Sequence, residues 1–232
     1  MAETAMLQTP DGEMALYDAS PDGSPRGAVI VIQEAFGVND HIEDVTRRFA
    51  SEGFRAVAPH LFYRTGDPVI DYGDYAKIME HFQALSEKGL LGDIDATLLH
   101  LRGAGFDHAN VGIVGFCMGG TVAYLTGVRR RLGASVTFYG GGVAEGRFGM
   151  PSLIDMAPEL QTPWLGLYGD LDQGIPSEQV EALRSALTDV RVPTEIVRYA
   201  DAGHGFHCDM RPDYREDAAR DAWRRTIEWF GR

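Results

Sequence analysis

A cysteine bracketed by glycines, Gly115-Phe116-Cys117-Met118-Gly119, is the first arrangement in the chain with chemical meaning. It follows the apolar run Val111-Gly112-Ile113-Val114 and leads into Gly120-Thr121-Val122-Ala123-Tyr124-Leu125, which reads as the start of a helix. Strand, Gly-x-nucleophile-x-Gly and helix together make a nucleophile elbow, here with cysteine where serine is more usual. Such a turn demands backbone angles that bulky neighbours tolerate poorly, hence the flanking glycines. It lifts the sulfur above a sheet and aims the N-terminus of the following helix at it, which favours thiolate. For the pentapeptide alone, a buried cysteine in a glycine-rich turn is the competing reading, so the neighbours decide.

Two further pieces follow in order. Trp164-Leu165-Gly166-Leu167-Tyr168 is an apolar strand that runs into Gly169-Asp170-Leu171-Asp172, and the alternating strand Thr194–Tyr199 runs into Asp201-Ala202-Gly203-His204-Gly205-Phe206. Nucleophile, acid, histidine is the chain order of the α/β-hydrolases. Each candidate sits just past the C-terminal end of a predicted strand, where open α/β sheets place their sites. His204 is positioned to take the thiol proton of Cys117, and an aspartate, Asp170 or Asp172, to orient the imidazole and balance its charge. Glu34 closes the apolar strand Ala28–Gln33, where a carboxylate is costly unless hydrogen-bonded or partly protonated. The backbone N–H groups of Met118 and Ala35 are the expected oxyanion hole. Phe36, Phe62, Phe138, Tyr139, Phe206 and Trp164 are candidate walls of an apolar pocket, although aromatics as a group are more often core; Tyr139 and Phe206, placed just after strands, are preferred, with Phe36 beside them. His204, His207, Cys208 and Asp209 match no standard zinc spacing, so no metal is assigned.

Over nearly its whole length the chain resembles the dienelactone hydrolases (carboxymethylenebutenolidases). The likeness rests on Ile32-Gln33-Glu34-Ala35-Phe36-Gly37, Ala58-Pro59-His60-Leu61-Phe62, Gly115-Phe116-Cys117-Met118-Gly119-Gly120, Gly169-x-x-Asp172 and Gly203-His204-Gly205-Phe206. It implies that Asp172 rather than Asp170 is the acid, which leaves Asp170 as a turn-former. It implies that Glu34 contacts the resting thiol of Cys117 and accepts its proton as substrate binds. His204 would then activate water against a thioester. The family's best-studied pattern holds a substrate carboxylate with two arginines, one of them four residues beyond the histidine. Here that position is Cys208, and no arginine lies between Arg64 and Arg102. Arg64 and Arg211 are the available substitutes, neither matching by position; Arg64 is entered as a pocket residue.

The elements that must position these groups alternate between strand and helix with short Gly/Pro-rich joints, the pattern of a mostly parallel sheet covered on both faces. Expected strands are Glu13–Tyr17 at an edge, Ala28–Gln33 at the centre, Arg55–Ala58, Val111–Val114, Ala134–Tyr139, Trp164–Tyr168 and Thr194–Tyr199. Expected helices are His41–Glu52, Asp74–Glu87, Gly92–Arg102, Thr121–Thr126, Ser177–Leu187 with Ser177 as N-cap, and Arg215–Phe230. In the last, Ala219, Ala222, Trp223, Thr226, Ile227 and Phe230 form a stripe that packs on the sheet. Tyr63–Gly73, irregular and rich in Gly, Pro and Asp, is placed at the rim of the site. Residues 1–232 read as a single domain of the α/β-hydrolase class.

Composition narrows the function. The chain has 232 residues, 44% hydrophobic and 24% charged, with a formal net charge of −13. That acidity excludes nucleic acid and anionic membranes as expected partners. No basic-then-apolar leader is visible, and the two cysteines, Cys117 and Cys208, suit a reducing compartment, so a cytoplasmic setting is expected. The expected activity is cofactor-free hydrolysis of a small lactone or carboxylic ester through a cysteine thioester, by a monomer or small homo-oligomer. A thioesterase or acyltransferase, a binding module with a vestigial triad, and a redox-sensing thiol protein are the alternatives weighed. The last lacks a CxxC partner.

Overall fold

Successive residues of a strand face opposite sides of its sheet, so an unbroken apolar run needs two cores. Val29 and Val31 enter one core, while Ala28, Ile30 and Ile32 enter the other. All five are buried, and each valine or isoleucine so placed contributes about 1.5–3 kcal/mol. This run is the strand β3 (Ala28–Ile32) of a computed structural model that describes residues 2–232. The other strands are β1 (Ala2–Thr9), β2 (Gly12–Ala19), β4 (Arg55–Pro59), β5 (Val111–Phe116), β6 (Ala134–Phe138), β7 (Trp164–Gly169) and β8 (Thr194–Tyr199). They form one sheet in the order β1-β2-β4-β3-β5-β6-β7-β8. From β4 to β8 all pairings are parallel; β1 and β2 add an antiparallel flank.

Seven helices are α1 (Asp40–Ser51), α2 (Tyr75–Gln83), α3 (Glu87–Gly103), α4 (Met118–Arg129), α5 (Leu153–Met156), α6 (Ser177–Ala186) and α7 (Glu216–Phe230). Ile42, Val45 and Phe49 of α1 and Ala222 and Trp229 of α7 fill the first core; Leu90, Ile94, Leu98 and Leu101 of α3 fill the second. The architecture is the α/β-hydrolase fold, with helices on both faces of the sheet. Among the described residues no helix is long and apolar enough to cross a membrane.

Three expectations are corrected. Glu13–Tyr17 lies in β2, which is not at the edge: β1 pairs with it from Ala2↔Ala19 to Thr9↔Gly12. In β1 only Leu7 is buried, so the strand carries no apolar alternation to reveal it. The break between α2 and α3 falls at Ser86, whose hydroxyl accepts the Gly89 amide (3.2 Å), earlier in the chain than the expected start at Gly92. In α6, Ser177 is the first helical residue and Pro176 occupies the cap without a side-chain bond.

The elbow is where the fold meets the chemistry. Cys117 itself takes the left-handed φ of 55°, between β5 and α4, while Gly115 and Gly119 are needed for a different reason. A Cβ on Gly115 would lie 1.9 Å from the Gly119 carbonyl oxygen, and one on Gly119 would lie 2.5 Å from the carbonyls of Ile32 and Gln33. The glycines therefore permit close backbone approach rather than unusual angles. Their partners are backbone, which has nowhere to go. Gly115→Ala should cost about 3 kcal/mol or more, or prevent folding, as read by thermal unfolding. A variant within about 0.5 kcal/mol of wild type would contradict this contact.

Candidate active site

Strands β5, β7 and β8 run parallel and end at the same edge of the sheet, with β6 between β5 and β7, and the loop after each of the three delivers one group. Cys117 is anchored by its amide, which donates to the Phe138 carbonyl (3.0 Å). His204 follows β8, and its Nε2 lies 3.0 Å from Cys117 Sγ. Its Nδ1 lies 2.6 Å from Oδ2 of Asp172, which follows β7. Asp172 is 5% exposed, and its Oδ1 accepts the Gly174 amide (2.9 Å), so the carboxylate is fixed from both oxygens. Asp170 turns away and takes the Arg198 Nε (2.6 Å). Of the two aspartates, Asp172 is the one the structure brings to His204.

Burial disfavours a charged imidazole, but the Cys117 sulfur and the Asp172 carboxylate outweigh it and raise His204 to about 10. The ring is therefore cationic at neutral pH, facing a sulfur on one side and a carboxylate on the other.

Glu34 is fully buried just past the end of β3. A single bridge between Glu34 and Gly37 closes the turn that holds Ala35 and Phe36. Gln33 ties this turn to the end of β4, accepting the Leu61 amide at 3.0 Å. The contact expected between Glu34 and the resting thiol is not the one formed. Cys117 bonds His204, while Oε1 of Glu34 accepts the Tyr139 hydroxyl (3.3 Å) and lies 3.6 Å from Arg211 Nη1. An arginine within reach gives the carboxylate a stronger partner than a neutral thiol offers. The other oxygen, Oε2, has no partner in the protein.

Arg211, the alternative to Arg64, reaches the site because the chain coils between Gly205 and Arg215. Successive amide bonds Cys208→Gly205, Arg211→Cys208 and Arg215→Phe206 fold it back on His204's own loop. Gly205, at φ 80°, makes the room: a Cβ there would sit 2.5 Å from Arg211 Nη1. The glycine after the histidine was the available signal. The guanidinium lies over the rings of Phe36 (5.7 Å) and Tyr72 (6.0 Å). Arg64 is corrected as a pocket residue. Its guanidinium is consumed by Asp93 (2.8 and 2.9 Å) and Asp11 (2.7 and 2.9 Å).

Tyr139 is fully buried at φ 38°, a conformation that costs a bulky residue about 1–3 kcal/mol. Its ring stands 5.1 Å from that of His204 while its hydroxyl reaches Glu34, so it joins the two halves of the site. Phe206 is core, packed on Phe138, Tyr139 and Tyr199, and does not face a pocket. Phe36 is buried beneath Tyr72 and Tyr75, and the Tyr63–Gly73 segment covers it, with the Ile70 amide donating to the Phe36 carbonyl (3.0 Å). Met118 begins α4, so its amide belongs to the helix's first turn, which has no intrahelical acceptor. Val69, Leu171 and Met210 on loops and Tyr75 at the start of α2 are more than half exposed and form an apolar rim. Of the residues once weighed for a metal, His204 is committed to Cys117 and Asp172, and His207 is sandwiched between the rings of Phe116 and Trp223.

The chain is similar to known proteins over nearly its whole length. The profile of the dienelactone hydrolase family matches residues 14–232. A protein of Salmonella typhimurium named "putative carboxymethylenebutenolidase" is 39% identical over 244 residues, covering 97% of this chain and 90% of its own. One of the same name in Escherichia coli K12 is 40% identical over 222 residues, covering 94% and 82%. The crystal structure of a "putative dienelactone hydrolase" from Klebsiella pneumoniae superposes with a TM-score of 0.92 at 36% identity, covering 100% of this chain and 98% of its own.

The charge pair has a measurable signature. Because the folded value of His204 lies above the ordinary 6.5, its contribution to stability is present below about 6.5 and is lost as pH rises through about 10. NMR titration should show His204 protonated until about pH 10, and Cys117→Ala should lower that midpoint by removing the sulfur. A midpoint near 6.5 in the unmodified protein would contradict the cationic ring.

Proposed function

Since the chain belongs to the dienelactone hydrolase family, we propose that it hydrolyses a small lactone or carboxylic ester through a cysteine thioester. The observation that carries this reading is the continuous line Cys117 Sγ, His204, Asp172 at 3.0 and 2.6 Å. In the proposed cycle the Cys117 thiolate attacks the carbonyl carbon, and the oxygen gains charge between the amides of Met118 and Ala35. Losing one such donor typically costs about 2.7–4 kcal/mol of barrier height. The C–O bond then breaks as the protonated His204 gives its Nε2 proton to the departing alkoxide or enolate, leaving an S-acyl cysteine and a neutral imidazole. His204 takes a proton from water, the hydroxide adds to the thioester, and thiolate leaves with the carboxylic acid released. Asp172 holds the imidazole so that both transfers use Nε2.

The leaving group decides the substrate class. Thiolate is itself expelled readily from a tetrahedral intermediate, so acylation proceeds only when the oxygen leaves more readily still. The enolate of an enol lactone meets that condition and an amide does not. The apolar rim suits a compact hydrocarbon body. Arg211, over Phe36 and beside Glu34, is the cation available to a carboxylate on the substrate. A substrate that draws Arg211 away leaves Glu34 short of a counter-ion and more basic, ready to accept the thiol proton of Cys117.

Hydrolysis should be assayed across enol lactones, p-nitrophenyl esters and acyl thioesters. Enol lactones should give the highest kcat/KM, and Cys117→Ala should abolish the activity. Retention of more than a few per cent would remove the nucleophile assignment. Glu34→Gln should lower lactone turnover and shift the pH dependence of iodoacetamide labelling at Cys117; an unchanged rate and curve would make Glu34 structural only.

A further inference from the structure

Behind Glu34 lies a group of buried polar atoms that the proposed cycle does not use. Oε2 of Glu34, both ring nitrogens of His41 and Nδ1 of His207 are all buried without a hydrogen-bond partner among the described residues. Such atoms are expensive unless bonded, and clusters of them are where bridging waters are held. His41 sits in the first turn of α1, just beyond the turn that carries Glu34, and its ring lies 6.0 Å from that of His207. His207 in turn forms part of a cleft of about 220 Å³ between α1 and α7, shared with Arg48, Tyr214 and Trp223. On its other side, His41 Nδ1 is 3.6 Å from Oδ1 of Asp209, a half-exposed carboxylate bonded to Arg48 (3.1 Å). The row from the protein interior to this cleft is therefore Glu34, His41, His207, with Asp209 as a branch to solvent.

Burial holds both imidazoles below their ordinary range, so both are neutral at pH 7. Glu34 is the charge His41 feels most, ahead of Asp209, Arg48 and Asp44. Glu34 itself is faced by Tyr139 and Arg211 at Oε1, with Tyr72 and Cys208 also within its field. A neutral imidazole between a carboxyl group and solvent can pass a proton without becoming an ion, by accepting on one nitrogen as it releases from the other.

We propose that His41 and His207 form a buried proton relay that connects Glu34 to solvent through the cleft between α1 and α7. The relay is separate from the mouth that substrate occupies. It rests on the reading that Glu34 takes the thiol proton of Cys117. A proton leaves Oε2 for one nitrogen of His41 over a bridging water, as the proton on the other nitrogen departs toward His207 and Asp209. The carboxylate is regenerated, no net charge remains on either ring, and no oxidant or co-reactant is consumed.

The test uses the full-length enzyme and His41→Phe, which keeps the ring packed against Phe116 and removes both nitrogens, with His207→Phe beside it. Each should lower kcat by about tenfold or more with KM nearly unchanged, a loss of the size expected when a proton-transfer group is removed. Added imidazole should restore part of the loss, most clearly in His41→Ala, which leaves room for it. In a Glu34→Gln background His41→Phe should add nothing. A wild-type kcat in His41→Phe, or a lowered kcat indifferent to imidazole and matched by a lowered melting temperature, overturns the relay. Wild-type turnover in Glu34→Gln would instead remove the Glu34 reading, and the relay with it.

Discussion

A sulfur and an imidazole 3.0 Å apart, inside a mostly buried site, are what the remainder of the structure is arranged to hold. Desolvation alone would discharge the ring, so the pair exists only because Asp172 stands behind it and Cys117 before it. Each member comes from the end of a different strand, β5, β7 or β8, and the parallel sheet is what brings those ends together. The elbow adds the last constraint. Three backbone segments, from β3, β5 and the start of α4, approach so closely at Gly115 and Gly119 that no side chain fits.

Glu34 complicates this picture in a useful way. A fully buried carboxylate is costly without partners, and the structure answers by giving Glu34 the Tyr139 hydroxyl and the Arg211 guanidinium. Arg211 thus has two claimants, Glu34 and any anionic group on a substrate. Competition for one cation is a means by which substrate binding can change the basicity of Glu34, with Tyr139 bonded to the carboxylate and its ring packed against His204.

The site was far more legible than its surroundings, for physical reasons. Backbone crowding forces glycines at fixed spacings, so Gly115-x-Cys117-x-Gly119 and Gly203-His204-Gly205 announce themselves in a linear sequence. Apolar runs that serve two cores, such as Ala28–Ile32, are equally plain. The strand β1 was invisible because it is an edge with little to bury. Arg64 and Arg211 could not be ranked, since both are arginines in polar loops. Only the fold shows the first spent on Asp93 and the second turned back over Gly205. The resting contact expected of Glu34 came from the family resemblance, and nothing linear in the sequence shows Arg211 folding back to within 3.6 Å of that carboxylate.

The central claim is that acyl transfer passes through sulfur. Rapid quenching of the enzyme with an enol lactone, followed by mass spectrometry of the Cys117 peptide, tests it most directly. A replacement of His204 by Gln slows deacylation and so should let the intermediate accumulate. The account predicts a hydroxylamine-sensitive adduct of the acyl group's mass on Cys117, formed and consumed at a rate consistent with turnover. Turnover of the lactone with Cys117 unmodified at every time point, or an adduct on another residue, would contradict it.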